Sequence, residues 1–93
     1  MKVEVHVFFP FREEIGEGPV TLELPPGADV GGALAALVDR FPRLRERIYD
    51  PEGRVRRHVS ALVNGISIQF RKGFATQLSD GDVLTLLPPV GGG

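Results

Sequence analysis

One stretch of the chain has the residue spacing of a full-length amphipathic helix, and proline residues bound it on both sides. Pro25-Pro26-Gly27 precedes the stretch and Pro42 follows it. Asp29 lies where an N-cap belongs, because its carboxylate can accept hydrogen bonds from the free backbone N–H groups of the first turn. No similar pattern follows residue 50, so the spacing predicts one main helix. The apolar residues expected on its buried face are Val30, Leu34, Leu37, Val38 and Phe41.

The residues before this helix have the alternating pattern of two strands. Residues 2–9 place Val3, Val5, Val7 and Phe9 on one face, and Pro10 ends the segment. After a polar stretch that contains two glycines, residues 20–24 alternate again. We therefore expect an antiparallel hairpin with a long loop between these strands.

The residues after the helix contain further strand patterns but only a short helical one. A short helical turn at 43–49 would bury Leu44 and Ile48. The elements expected after it are a turn at 50–53, a strand that includes Val55 and 59–63, a hairpin turn at Asn64-Gly65, a segment at 66–70 that pairs back briefly, and a last strand at 83–87.

This order of elements predicts an α+β fold of the β-grasp type, which is the fold of ubiquitin-like domains. A right-handed crossover would place the last strand parallel to the first, in the middle of a mixed sheet that one main helix crosses. The alternative, a ferredoxin-like split βαβ fold, needs a second full-length helix. We expect one β-grasp domain at 1–87 and an extended, flexible tail at 88–93.

The composition excludes several classes of function. The chain has no cysteine, which excludes disulfides, cysteine metal sites and thiol catalysis. Its formal net charge of -1 gives no general attraction to nucleic acid or to anionic lipid. His6 and His58 are far apart in sequence, so no metal is expected. The absence of a spanning or signal segment predicts a cytoplasmic protein that does not enter a membrane.

The tail Pro88-Pro89-Val90-Gly91-Gly92-Gly93 is the feature that most suggests a function. Two prolines favour an extended path, and three glycines carry no side chains. Six extended residues reach about 20 Å. The α-carboxylate of Gly93 would therefore be held away from the domain with open access on every side, although a glycine-rich end can also be an inert terminus.

Several segments resemble the MoaD/ThiS family of sulfur carriers, which includes the small subunit of molybdopterin synthase. The resemblance covers nearly the whole chain, and its most specific part is the Gly-Asp-strand-Pro-Pro-Val approach to a terminal diglycine. Gly91 departs from it, since that position is more often Ala or another small residue in the family. The longer segment at 43–58 favours the molybdopterin branch over the shortest thiamine-pathway carriers. The segments that carry the resemblance are 9–13 (FPFRE), 24–30 (LPPGADV), 41–44 (FPRL), 63–65 (VNG), 78–83 (LSDGDV) and 87–93 (LPPVGGG).

The resemblance implies a sulfur carrier that is not an enzyme on its own. The carboxylate of Gly93 would be adenylated by an E1-like enzyme that uses ATP, and would then be converted to a thiocarboxylate. Gly92 would keep the approach narrow enough for the activating channel. The chain itself would bind no cofactor or metal, and a larger molybdopterin synthase subunit would take the sulfur. The resemblance leaves open a thiamine-type carrier and a ubiquitin-like protein modifier, and an inert β-grasp binding module is a further alternative.

A partner that takes the tail must also contact the domain. The residues around Gly93 that would enter the partner are Pro88, Pro89, Val90 and Gly91. We expect an apolar patch on the sheet, rimmed by basic side chains that suit an acidic partner. The alternative is that the apolar residues cap the core of the domain itself and that the arginines lie on a solvated strand edge or loop. The patch residues are Phe8, Ile66, Ile68, Phe70 and Phe74, and the basic rim is Arg54, Arg56 and Arg57.

Overall fold

A computed structural model describes residues 1–7 and 18–87. The predictions for Phe8, Phe9 and Pro10, and those for the tail 88–93, lie outside the described residues. The strands are β1 (Lys2–His6), β2 (Val20–Glu23), β3 (Ser60–Val63), β4 (Ile66–Ser67) and β5 (Val83–Leu87). The α-helices are α1 (Val30–Arg40) and α2 (Arg45–Ile48), and single 3-10 turns lie at Pro42–Leu44, Ile68–Phe70 and Gly73–Ala75.

The five strands form one mixed sheet in the order β2-β1-β5-β3-β4. β5 lies parallel to β1, with His6 opposite Thr85, and every other neighbouring pair is antiparallel. The last strand is therefore in the middle of the sheet, beside the first. This arrangement confirms the predicted β-grasp fold.

Helix α1 begins and ends where the sequence indicates. The Asp29 side chain accepts a hydrogen bond of 2.8 Å from the N–H of Gly32, which satisfies one donor of the first turn. Pro42 follows the helix at a position where it cannot continue the hydrogen-bond ladder. Phe41, expected on the buried face, is only partly buried and packs at the edge of the core. The other four expected residues are buried: Val30, Leu34, Leu37 and Val38.

The core lies between α1 and one face of the sheet. Alternate residues of the two central strands point into it, and they exclude water completely. After α1, the chain covers one side of this core with Leu44 and Ile48, which are also fully buried, as the pattern predicted. The fully buried strand residues are Val3, Val5, Leu84 and Leu86.

The segment after the Asn64-Gly65 turn pairs for a shorter distance than expected. Asn64 and Gly65 both have positive φ, 50° and 84°, which is the geometry of a tight type I′ hairpin. β4 then contains only two residues, because the Ser67 hydroxyl accepts from the N–H of Gln69 at 3.2 Å and closes a local turn. This turn directs Ile68 into the core.

The strand expected to include Val55 is also shorter. β3 starts at Ser60, and Val55 makes only an isolated bridge to Tyr49. The chain between Tyr49 and Val55 turns at Asp50, whose carboxylate accepts hydrogen bonds from two backbone N–H groups of the turn. In the described ranges, no helix has the length and apolar character that crossing a membrane requires.

Candidate docking face and tail exit

The tail follows a strand that is held on both sides. Leu87, the last residue of β5, is the register partner of Ser60 in β3, and on the other side of β5 Thr85 lies opposite His6. β5 therefore ends at the end of the sheet where β1 also ends and β3 begins. The strand that precedes the tail is therefore fixed by hydrogen bonds to both of its neighbours in the sheet.

The sheet face that turns away from α1 carries an apolar group of side chains. Positions alternate along a strand, so the residues between the buried ones lie on this outer face. Leu62, Val83 and Leu87 are there, and each is only partly covered. The register places Thr85 between His6 and Leu62, so these side chains form one continuous surface over the central strands. We call Leu62, Val83, Thr85 and Leu87 the outer patch.

One polar pair borders the outer patch. His6 Nε2 lies 3.3 Å from Glu4 Oε2 on β1, and the two side chains are 41% and 45% exposed. Glu4 is the register partner of Val83, and His6 that of Thr85. A surface that is apolar at its centre and polar at its border suits contact with another protein.

The apolar residues that were expected to form one patch lie apart from one another in the structure. Ile68 is only 3% exposed and belongs to the core, so it does not lie on an exposed patch with the others. Ile66 is 44% exposed, but it lies opposite Val63, whose side chain faces the core; Ile66 therefore lies on the helix side of the sheet edge. Phe74 is half-buried beside the first turn of α1. Phe70, at 85% exposed, is the most accessible of the four, and Phe8 lies outside the described residues.

The three arginines of the expected rim lie in the loop that leads into β3. Arg54 forms ion pairs with Asp50 and Glu52. Arg56 donates from Nε to the carbonyl oxygen of Glu46 at 2.8 Å. Arg57 is exposed. Because β3 begins at the end of the sheet from which the tail leaves, this loop borders the tail exit and not the patch expected around Ile68.

The alternating pattern did not predict a contact role for the outer patch, because it gives a strand only one apolar face. The apolar residues concerned are Leu62, Val83 and Leu87. A signal was present in the sequence. Residues 61–63 and 83–87 contain adjacent apolar residues and do not alternate strictly, which is typical of strands that are covered on both faces. One face of these strands packs against α1, and the second apolar face suits contact with another protein.

The acidic residues near Gly81 hold turns. Asp82 accepts from the N–H of Ser79 at 2.7 Å and from the side-chain amide of Asn64 at 2.9 Å. Asp80 accepts from the N–H of Lys2 at 2.7 Å. Asp82 therefore stabilises the turn before β5, and Asp80 joins that turn to the start of β1. Among residues 1–7 and 18–87, no three acidic or histidine side chains come together as a metal site would need.

Comparison with known proteins gives consistent matches over the full length of the chain. The model of the ThiS family matches residues 5–93. Small archaeal modifier protein 3 of Haloferax volcanii is 36% identical over 93 residues, which is 100% of both chains. The molybdopterin synthase sulfur carrier subunit of Mycobacterium tuberculosis is 34% identical over 94 residues, covering 100% of this chain and 99% of its own. The crystal structure of SAMP1 from Haloferax volcanii superposes with a TM-score of 0.88 at 32% identity, over 100% of each chain.

Proposed function

We propose that this chain, which belongs to the ThiS family of ubiquitin-like sulfur carriers and modifiers, carries sulfur as a thiocarboxylate on Gly93 for molybdopterin synthesis. The observation that carries the proposal is the position of β5. A central strand ends at Leu87, and Gly93, the last of three consecutive glycines, follows it by six residues. The match to a molybdopterin synthase sulfur carrier subunit supports this destination.

The chemistry at Gly93 requires a partner. A carboxylate is a poor electrophile, so its oxygen attacks the α-phosphate of ATP in the partner and releases pyrophosphate, which leaves an acyl-adenylate. A sulfur nucleophile then displaces AMP and forms the thiocarboxylate. The partner must exclude water from the adenylate, and a tail with no side chain at Gly92 or Gly93 fits a narrow channel.

Docking to the adenylating enzyme and to a larger synthase subunit would use the outer patch. Val83 and Leu87 lie on β5, the strand that precedes the tail, and Leu62 lies on its neighbour β3, so a partner that covers this patch would be positioned to receive Gly93. Burying apolar area on binding contributes about 25 cal/mol per Å² before the entropic costs of association. The chain would supply the cargo and the docking face, and the partners would supply the acid, the base and the nucleotide site.

A protein modifier is a second candidate, favoured by the match to small archaeal modifier protein 3. The acyl-adenylate is the same in both cases. In a modifier, a lysine amine of a target protein displaces AMP and forms an isopeptide bond. In a carrier, a sulfur nucleophile displaces AMP instead. The destination of Gly93 therefore depends on which nucleophile the partner presents.

The test is the mass of the chain after incubation with ATP, a sulfide source and the adenylating enzyme of the same organism. We expect a mass gain equal to the replacement of one oxygen by sulfur. Deletion of Gly92 and Gly93 together should abolish that gain, because deletion of Gly93 alone would leave Gly91-Gly92 as a terminal diglycine. The thermal unfolding midpoint should stay unchanged, because both residues follow the last strand. A deletion variant that still gains sulfur would refute the assignment of the reacting carboxylate.

The two destinations separate in a cell extract. A carrier should co-purify with a larger synthase subunit and release its sulfur when the precursor of molybdopterin is added. A modifier should appear as covalent adducts that resist denaturation and disappear when Gly92 and Gly93 are both deleted. Adducts without thiocarboxylate would favour the modifier and count against the carrier.

A further inference from the structure

A cleft lies on the side of the domain away from the outer patch residues, where α1, α2 and the turn after α2 meet. Its two lobes have volumes of about 340 Å³ and 350 Å³. The first lobe is floored by Val38 of α1, and the second lies against Glu46 of α2. The residues that line both lobes are Arg45, Tyr49, Asp50 and Pro51.

The cleft contains hydrogen-bond donors without acceptors. Within residues 1–7 and 18–87, no side chain or carbonyl accepts from the Arg45 guanidinium or from the Tyr49 hydroxyl. Burial raises the pKa of Tyr49, against a smaller opposing effect of Arg45, so the phenol keeps its proton at neutral pH. Arg56, at the edge of the second lobe, uses Nε for the Glu46 carbonyl and leaves its outer nitrogens unbonded in the described chain.

The acidic residue at the centre of the cleft is already satisfied. Asp50 Oδ1 accepts from the N–H groups of Glu52 and Arg54, each at 2.9 Å, and these bonds hold the turn closed. The free carboxylates, Asp39 and Glu46, lie on exposed helix positions at the two ends. The middle of the cleft therefore presents the Arg45 guanidinium and the Tyr49 phenol, and Arg56 adds a second guanidinium at the edge of the second lobe. A carboxylate can accept hydrogen bonds from all three groups.

The cleft is near the point where the tail leaves the sheet. Arg56 precedes Ser60 by four residues, which span at most about 14 Å. Ser60 is the register partner of Leu87, the residue before the tail. A partner large enough to take up the tail, itself about 20 Å long when extended, would thus pass within reach of the cleft.

We propose that this cleft binds a carboxylate side chain, Asp or Glu, on the surface of the adenylating partner. Arg45 would take both carboxylate oxygens in a paired contact, Tyr49 would donate a further hydrogen bond, and Pro51 would contact the apolar stem. The proposal rests on the proposed function, because it adds a second contact for the same partner. The outer patch supplies apolar area, and the cleft supplies charge recognition that fixes orientation.

The test compares Arg45→Gln with Arg43→Gln in the full chain. Arg43 is an exposed neighbour that does not line the cleft and has no side-chain partner in the described chain, so it is a matched control for the loss of one charge. The measurement is ATP–pyrophosphate exchange by the adenylating enzyme at increasing concentrations of chain. We expect Arg45→Gln to raise KM about tenfold with kcat unchanged, because the reacting carboxylate is not touched. Tyr49→Phe should raise KM about threefold, and the control should change it little.

Salt provides the second readout. The wild-type KM should rise with ionic strength, and that dependence should be weaker in Arg45→Gln than in the control. Equal KM values for Arg45→Gln and Arg43→Gln would overturn the cleft as a contact while exchange by the wild type still supports the proposed function. If the wild type shows no exchange at all, the proposed function fails and the cleft proposal fails with it.

Discussion

The carboxylate of Asp50 accepts two backbone N–H bonds in the turn that leads from α2 toward β3. These bonds, mainly the one from Arg54, lower the pKa of Asp50 from its ordinary value of 3.8. A lowered pKa in the folded state means that the ionised group stabilises the fold above 3.8, and that this contribution disappears as the pH falls through the folded value. Acid should therefore loosen the turn that lines the cleft.

Asp50→Asn tests this charge, because asparagine keeps an acceptor oxygen for the same two N–H groups. We expect the variant to unfold more easily than the wild type at neutral pH. The difference in the free energy of unfolding should shrink as the pH falls below 3.8, where the wild-type carboxyl also becomes neutral. Urea unfolding at several pH values measures it. A difference that stays constant into acid would show that shape, and not charge, explains the effect.

At the scale of elements, α1 protects an exposed strand. β2 is at the edge of the sheet, and Arg40 in the last turn of α1 donates from Nη1 to the carbonyl oxygen of Thr21 at 2.9 Å. The same guanidinium lies 5.5 Å from the centre of the Phe41 ring. An edge strand with unpaired backbone groups invites pairing with other chains, and a positive side chain over it blocks this. The helix thus both fills the core and covers the edge.

Arg40→Met should remove that hydrogen bond while it keeps most of the apolar stem. We expect a loss of about 1 kcal/mol in the free energy of unfolding, together with a greater tendency to associate at high concentration. Urea denaturation and light scattering measure the two effects. Arg43→Met is the matched control, because Arg43 has no side-chain partner in the described chain. Equal stability of the two variants would mean that the contact with Thr21 contributes nothing.

The elements that the sequence predicted well are those with a local cause. Helix α1 followed from a proline break, an N-cap and one apolar face, and the position of β5 beside β1 followed from the right-handed crossover. Ile68 was misplaced because its burial depends on a turn that Ser67 closes. Leu62 was not recognised as a surface residue because residues 61–63 are all apolar, so the pattern does not show which of them face α1. The apolar period alone shows neither where a turn closes nor which face of an all-apolar strand the helix covers.

At the scale of the whole molecule, folding and docking use opposite faces of the same central strands. Leu84 and Leu86 point into the core, while Val83 and Leu87 point to the outer patch. A change on the outer side should therefore alter binding with little effect on folding. Surface positions of this kind typically change the free energy of unfolding by about 0.5 kcal/mol or less.

Leu62→Ser, with Leu87→Ser as a second variant, tests this separation. Each removes apolar area from the outer patch, so we expect KM for ATP–pyrophosphate exchange to rise about tenfold with kcat unchanged, since each 1.4 kcal/mol of lost docking energy is a factor of ten. Thr21→Ala is the matched control, because Thr21 lies on the same outer face but at the β2 edge. Should both leucine variants behave like that control, the partner does not cover the outer patch. A fall in kcat with an unchanged KM would instead place Leu87 among the residues that position the tail. The leucine would then affect the placement of the reacting carboxylate in the complex and not the affinity of the chain for the enzyme.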